Sequence, residues 1–463
     1  MTAEPEASAI DEQLATVHAA VQSGDPAGAL NQIHALPDEA RARLEIAANE
    51  AHLLGRLGRH DEELAILRRL SEREPPNPSL QLSIAHALKT LGRGDEAIAA
   101  AQAALAIRPG YGKAWWVLAD LKTYAFDDEE VAAMERSLTG ASFEDRLHLH
   151  FALGRALEQG SETAHAFAHY AEGNRLGQAA TRGTIKPSAD RIDRAIATFT
   201  PEFFAERQGF GHDSGAPIFV LGLHRSGSTL VEQILASHSA IEATAELPIV
   251  AQLMRSVAMD GGLSGETPLA KLASLDAARA RALGAEYLDR AAAYRANEEP
   301  RFIDKMPANW LHVGFIRLIL PNATIIDARR HPMAAGFSNF RQNYGAGAAW
   351  TYSLDGIGRY YRDYLRLMRH FDQVLPGKVH HVINEQLIDD FEPEVRRLLD
   401  FVGVDFEPAC LEFHRSTRPV RSASAEQVRR PVNRDGVDQW RAFEPWLDPL
   451  KDALGDALGD WRE

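Results

Sequence analysis

Cysteine is nearly missing from this chain: Cys410 is the one thiol in 463 residues. A single thiol can form no internal disulfide and no thiolate zinc site, and nothing else calls for a metal. Its setting, Pro-Ala-Cys-Leu, fits a small buried apolar residue. Long apolar runs are missing too, since no stretch approaches the roughly 18 residues that a membrane-spanning helix requires. The opening segment MTAEPEASAIDEQLATV lacks both a basic start and an apolar core, so no secretory signal is read there. A soluble, cytoplasmic protein is expected. Positive charge is also in short supply, with a formal net charge of −15. A general nucleic-acid or anionic-membrane binder would want a basic surface, so both classes are set aside. A small anion held by a few local arginines remains open, because arginines cluster at Arg329-Arg330, Arg421 and Arg429-Arg430. Hydrophobic content of 45% and charged content of 25% are those of a globular protein. The length exceeds one ordinary core and implies two or more domains.

The N-terminal half carries a period. Turn segments Gly24-Asp-Pro, Gly58-Arg-His-Asp and Gly92-Arg-Gly-Asp follow one another at 34 residues. Further steps reach Phe126-Asp-Asp, without the glycine, and Gly160-Ser-Glu-Thr. In the unit from Pro78 to Pro109, Leu82, Ala85 and Leu88 fall at helical spacing before Gly92. Ala97, Ala101, Ala104 and Leu105 do so after it. The preceding unit matches at Leu64, Leu67 and Leu70. Small residues let paired helices approach, the glycine turns the chain, and Pro109 stops the second helix. This resembles the tetratricopeptide-repeat family over residues 9–180, in about five units. Such a solenoid implies a concave surface for a peptide or partner protein, or a brace for a neighbouring domain.

Residues 181–215 read as a linker, with Thr-Arg-Gly-Thr-Ile-Lys-Pro, a helix near 188–207, and the loop Gly-Phe-Gly-His-Asp-Ser-Gly. The pattern then changes. Short apolar runs at 216–222, 323–328 and 378–383 read as buried parallel strands separated by helices. An α/β domain with a parallel sheet is expected over 216–463.

The first of these strands runs into Gly222-Leu-His-Arg-Ser-Gly-Ser-Thr229 and then into a helix. Strand, glycine loop and helix N-terminus aim backbone N–H groups at one point, which suits a phosphate or sulfate. A Walker loop would place lysine where Ser228 stands. Here the cation is Arg225, inside the loop. A P-loop kinase of small molecules, lacking that lysine, and a repeat scaffold with an inactive nucleotide domain stay as the competing readings.

The loop resembles the 5′-phosphosulfate motif of sulfotransferases, Pro-Arg-Ser-Gly-Thr-Thr-Leu, with His224 at the Pro and Ser228 at the first Thr. The resemblance extends in order over nearly all of 216–450. It implies that PAPS is the sulfuryl donor and PAP the product, with Arg225, Ser226, Gly227, Ser228 and Thr229 around the phosphosulfate. Arg330 and Ser338, eight residues apart, match the pair that holds the 3′-phosphate, with Arg329 as stand-in if the strand register slips by one. Lys305, in Lys-Met-Pro, matches the lysine facing the bridging oxygen. Glu246 matches the carboxylate that serves as base in tyrosylprotein and several carbohydrate sulfotransferases, with Glu242 a poorer candidate and His238 and His312 left open. The run 422–433 resembles a tyrosylprotein sulfotransferase segment and maps Ser424 and Arg430 onto nucleotide contacts. Asn384 replaces a tyrosine of the family. Several bacterial-type proteins join such repeats to such a domain, and this chain resembles them as a whole. The acceptor would carry a hydroxyl. A peptide tyrosine guided by the repeats is the first choice, and a carbohydrate, lipid or secondary metabolite also fits the motifs.

Overall fold

The computed structural model describes residues 25–181, 188–259, 268–422 and 424–463. Gly24, the start of the repeat region and most of Thr-Arg-Gly-Thr-Ile-Lys-Pro fall outside the described residues. The chain forms two compact units. One runs to Tyr124 and takes back Thr417–Ala425, and the other holds Ala125–Ser416 and Glu426–Glu463. Among the described residues, no helix is long and apolar enough to cross a membrane.

The first unit is helical, and its helices keep the period. Leu44–Arg56 and His60–Arg73 form one pair, and Pro78–Thr90 and Gly94–Ile107 the next. Gly58 and Gly92 sit between the members of each pair at φ 79° and 76°. Arg59 and Arg93 each clasp the Glu three residues on at 2.6 Å, so even the surface pairs repeat. Asn77 caps its helix by accepting from the N–H groups of Ser79 and Leu80, with Pro78 in the first turn. Leu82, Ala85, Leu88, Ala97, Ala101 and Ala104 are buried as the spacing requires. Leu105 is only half-buried.

Three further helices, Asp128–Leu138, Phe143–Gln159 and Thr163–Ala180, continue the spacing but belong to the second unit. At the turn between the last two the left-handed residue is Ser161, at φ 62°, and not Gly160. Gly154 lies against Tyr170, whose hydroxyl donates to Glu158 at 2.6 Å. Asn174 donates to the Phe340 carbonyl at 2.7 Å, and Arg341 pairs with Glu158. These contacts tie the helical pair to the helix Pro332–Phe340. The linker helix breaks into Ser188–Thr198 and Pro201–Glu206, because Thr200 caps the second piece and Pro201 opens it.

The sheet of the second unit has five strands: β1 (Pro217–Gly222), β2 (Ile241–Ala243), β3 (Arg301–Asp304), β4 (Thr324–Arg329) and β5 (Val379–Ile383). Their order is β2-β3-β1-β4-β5, and every neighbouring pair is parallel. All six residues of β1 are buried, as its unbroken apolar run requires of a central parallel strand. The strands β1, β4 and β5 fall within a residue of the runs read from sequence. Strands β2 and β3 are too short to register as periodic.

Candidate active site

A parallel sheet gathers the carboxyl ends of its strands on one edge, and ligands of such sheets bind beyond those ends. Each strand here ends on a residue singled out above or on its neighbour. Beyond β1 lies the loop with Arg225, beyond β2 Glu246, beyond β3 Lys305, beyond β4 Arg330, and beyond β5 Asn384.

The loop after β1 has no spare room. Gly222 has φ 132°, and a Cβ there would stand 2.3 Å from the Ala328 carbonyl of β4. Gly227 has φ 99°, and its Cβ would stand 2.6 Å from Asn384 Oδ1. Only glycine meets both demands. Arg225 is itself left-handed at φ 66°. Ser226 Oγ donates to the Leu223 carbonyl at 2.6 Å and closes the turn. Ser228 and Thr229 are buried at the start of the helix Ser228–Ala236.

The arginine and serine found 113 residues apart in sequence are in contact. Arg225 Nε donates to Ser338 Oγ at 3.1 Å, and its Nη2 donates to Gln427 Oε1 at 3.2 Å. Arg330 Nη1 donates to the Arg225 carbonyl at 3.1 Å, and its Nη2 donates to the Gly436 carbonyl. Its Nε is buried with no hydrogen-bond partner, and Arg330 has no ion pair among the described residues. Burial, and next the neighbouring Arg225, push its pKa down to about 10. Two guanidinium groups thus stand together, one of them without a counter-ion. That is a preformed site for an anion.

Arg329 is no stand-in for Arg330. It is fully buried, bonded to Asp327 Oδ2 at 3.0 Å and to the carbonyls of Trp461 and Glu463 at 3.0 and 2.8 Å. His381 Nδ1 lies 2.8 Å from the same Asp327 oxygen, and Tyr364 donates to the other at 2.5 Å. Burial alone would lower the His381 pKa, but its contacts with Asp327 and Asp372 outweigh that and hold it at about 9. This network fixes the end of β4, so that the next residue, Arg330, projects beyond the sheet.

On the other side, Lys305 is buried and ion-paired to Glu246, with the buried Glu232 at 4.0 Å. The Glu246 segment is pinned to β3. Thr244 N donates to the Ile303 carbonyl and Lys305 N to the Ala245 carbonyl, each at 3.2 Å. Leu247 N reaches Asp304 Oδ1 at 3.4 Å, and Tyr287 donates to Asp304 Oδ2 at 2.9 Å. Burial raises the Asp304 pKa to about 7.

Glu242 faces elsewhere: it pairs with Arg295 at 3.0 Å and accepts from the N–H of Asn297 at 2.7 Å. A carboxylate so engaged is a fastener, not a base. His238 is likewise occupied. Its Nε2 lies 2.9 Å from the Asp405 carbonyl, and its Nδ1 accepts from Ala240 N at 3.0 Å. Burial lowers the His312 pKa to about 3, among Arg191 and Arg255. Arg430 is exposed, and its Nη2 lies 4.0 Å from Asp435 Oδ2. Ser424 belongs to the first compact unit, where its N–H donates to Ser422 Oγ at 3.1 Å. In and just beyond that stretch, Gln427 and Gly436 meet the arginines, and neither carries a charge to draw notice. Glu232 and Asp304 were also passed over, although their carboxylates at Lys305 and beside it were the available signal. No group of three or more metal-ligating side chains occurs among the described residues.

Residues 217–408 match the model of the sulfotransferase family. A protein of Aquifex aeolicus (strain VF5), described as uncharacterized, is 31% identical over 397 residues, which are 84% of this chain and 52% of that protein. The chain spans about half the length of that relative. Among solved structures, the sulfotransferase domain from the Synechococcus PCC 7002 olefin synthase is 24% identical. That match covers 50% of this chain and 90% of the domain, with a TM-score of 0.36. The sulfotransferase domain from the curacin biosynthetic pathway is 18% identical and covers 50% and 92%, also with a TM-score of 0.36. The segment 217–408, which holds the parallel sheet and the loop after β1, is the part of the chain that carries the similarity to the sulfotransferase family.

Proposed function

We propose that this domain moves the sulfuryl group of PAPS to an acceptor hydroxyl and releases PAP. The observation that carries the reading is the Arg225–Arg330–Ser338 cluster, in which the half-buried Arg330 stands beside a second guanidinium and has no ion pair among the described residues. PAPS is anionic at both ends. The loop N–H groups with Arg225, Ser226, Gly227, Ser228 and Thr229 suit its phosphosulfate, and Arg330 with Ser338 suits its 3′-phosphate.

The acceptor oxygen would attack sulfur as the bond from sulfur to the bridging oxygen breaks, with the electron pair leaving on PAP. A fixed cation near that oxygen lowers the barrier by meeting charge as it develops. Lys305 is the buried cation on this side of the sheet. Glu246 is the base expected from sequence. Its ion pair with Lys305 favours a second role, holding the lysine in place.

The kinase reading fares less well. Ser228 occupies the position of the nucleotide-binding lysine, and Asp327, the acid on β4, is bonded to Arg329, Tyr364 and His381. We read the helical pairs as tetratricopeptide-type repeats that guide a peptide acceptor, with tyrosine the first choice. The pair at 143–180 also braces the helix that carries Ser338. A titration of PAPS into wild-type protein and the Arg225→Ala and Arg330→Ala variants tests the donor site. Weakened binding in both is expected, and wild-type affinity in both would overturn the assignment.

A further inference from the structure

One loop residue has no part in holding the donor. His224 stands at the position of the proline in the sulfotransferase motif that the loop resembles. Its backbone is held from behind, because Asn339 Nδ2 donates to the His224 carbonyl at 2.8 Å. Asn339 Oδ1 in turn accepts from the Tyr344 hydroxyl at 2.9 Å. The ring is oriented by two aromatic neighbours. Tyr344 meets it edge-on at 5.3 Å between centroids, and Trp350 meets it at 5.9 Å. Trp350 is itself stacked on Tyr360 at 4.3 Å. A side chain set this firmly would normally spend its nitrogens on hydrogen bonds. Neither ring nitrogen of His224 has such a partner among the described residues, and neither is a sealed-in polar atom.

The charged groups that act on this ring are those of the proposed reaction: Glu246, Lys305 and Arg225. Burial is the largest influence and lowers the His224 pKa. Lys305 and Arg225 lower it further, and Glu246 opposes them. The imidazole is therefore neutral near pH 7 and able to take a proton. Glu246 lacks that freedom while Lys305 holds its carboxylate.

We propose that His224 is the proton acceptor of the transfer, receiving the acceptor hydroxyl's proton while Glu246 stays engaged with Lys305. This rests on the sulfuryl-transfer reading above. The acceptor oxygen forms the new bond to sulfur, the bond from sulfur to the phosphate oxygen of PAPS breaks, and its electron pair leaves on PAP. The hydroxyl proton ends on a ring nitrogen of His224. Tyr344 and Trp350 hold the ring in place.

The test uses the full chain with PAPS and three hydroxyl probes: p-nitrophenol, a tyrosine-containing peptide and water. PAP release is followed from pH 5 to 9 for wild type, His224→Gln, His224→Ala and Glu246→Gln, and PAP affinity is measured by calorimetry. In wild type the rate should hold through pH 6.5 and fall only at lower pH, because the His224 pKa is lowered from its ordinary value. His224→Gln should keep PAP affinity within about threefold, lose turnover by on the order of 10²–10⁴-fold, and lose the acid limb. Added imidazole should restore part of the rate to His224→Ala, which a purely structural role would not allow. Glu246→Gln should be slower but keep the acid limb. A His224→Gln protein within about threefold of wild type, or one that retains the acid limb, overturns the proposal. Wild-type protein that fails to bind PAP would instead overturn the donor reading.

Discussion

Replacing Arg330 by Met keeps much of the side chain's length and removes its charge. In the structure that charge is held at a cost. The fall of its pKa from 12.5 to about 10 corresponds to about 3 kcal/mol against the charged form. The sign is destabilising: a base with a lowered folded pKa carries its full cost below about 10, so the cost is constant across physiological pH. The substitution relieves it but strands the Arg225 and Gly436 carbonyls, at about 1–3 kcal/mol in each case. The two effects roughly offset, and the unliganded Arg330→Met protein should unfold within about 2 kcal/mol of wild type. PAP should separate the two proteins sharply. Losing a charge-assisted bidentate contact of about 3 kcal/mol weakens binding by on the order of 150-fold. At a PAP concentration of about 100 times the wild-type Kd, stabilisation should be about 2.7 kcal/mol in wild type and about 0.3 kcal/mol in the variant. Denaturant melts with and without PAP measure both. A variant that loses more than about 4 kcal/mol without ligand yet gains full stabilisation from PAP would refute the reasoning.

Lys305→Met should lower kcat by on the order of 10²–10³-fold while PAP affinity changes little, as steady-state kinetics and calorimetry would show. Gly222→Ala forces a Cβ to 2.3 Å from the Ala328 carbonyl at φ 132°, and β4 cannot retreat, so a loss of about 2–4 kcal/mol is expected in urea melts. His381 has a folded pKa of about 9, above its ordinary 6.5, so its stabilisation is complete below 6.5 and lost as pH rises through 9. Melts at about pH 6 and about pH 9.5 should therefore differ by about 3 kcal/mol in wild type and much less in His381→Gln. Gly58→Ala should cost about 1 kcal/mol from backbone strain alone, because nothing lies within 4 Å of the new methyl, and a thermal melt would register it.

Much of the candidate site was legible because its residues sit at strand ends, and long buried strands announce themselves. The runs at 216–222, 323–328 and 378–383 led to the loop of Arg225, to Arg330 and to Asn384. Strands of three and four residues show no period, so β2 and β3 were missed, although Glu246 and Lys305 at their ends were found by resemblance. Spacing could not separate Arg329 from Arg330. The choice depends on which side of β4 each faces, and burial with Asp327 decides it. Glu242 and His238 looked eligible because hydrogen-bond partners more than 50 residues away are invisible in a pattern. Gln427 and Gly436 were missed for the opposite reason, since an uncharged amide and a backbone carbonyl carry no signal until the chain folds back. The 34-residue step was clear in sequence, but the division of the helices between two compact units follows from contacts such as Asn174 with Phe340.

Sulfuryl transfer itself is tested most directly by incubating the full chain with sulfur-labelled PAPS and a panel of hydroxyl acceptors, with a metal chelator present. The account predicts label on an acceptor in step with PAP release, and loss of both in the Lys305→Met and Arg330→Met proteins. Failure of the wild-type chain to bind or consume PAPS, together with magnesium-dependent turnover of ATP, would contradict it.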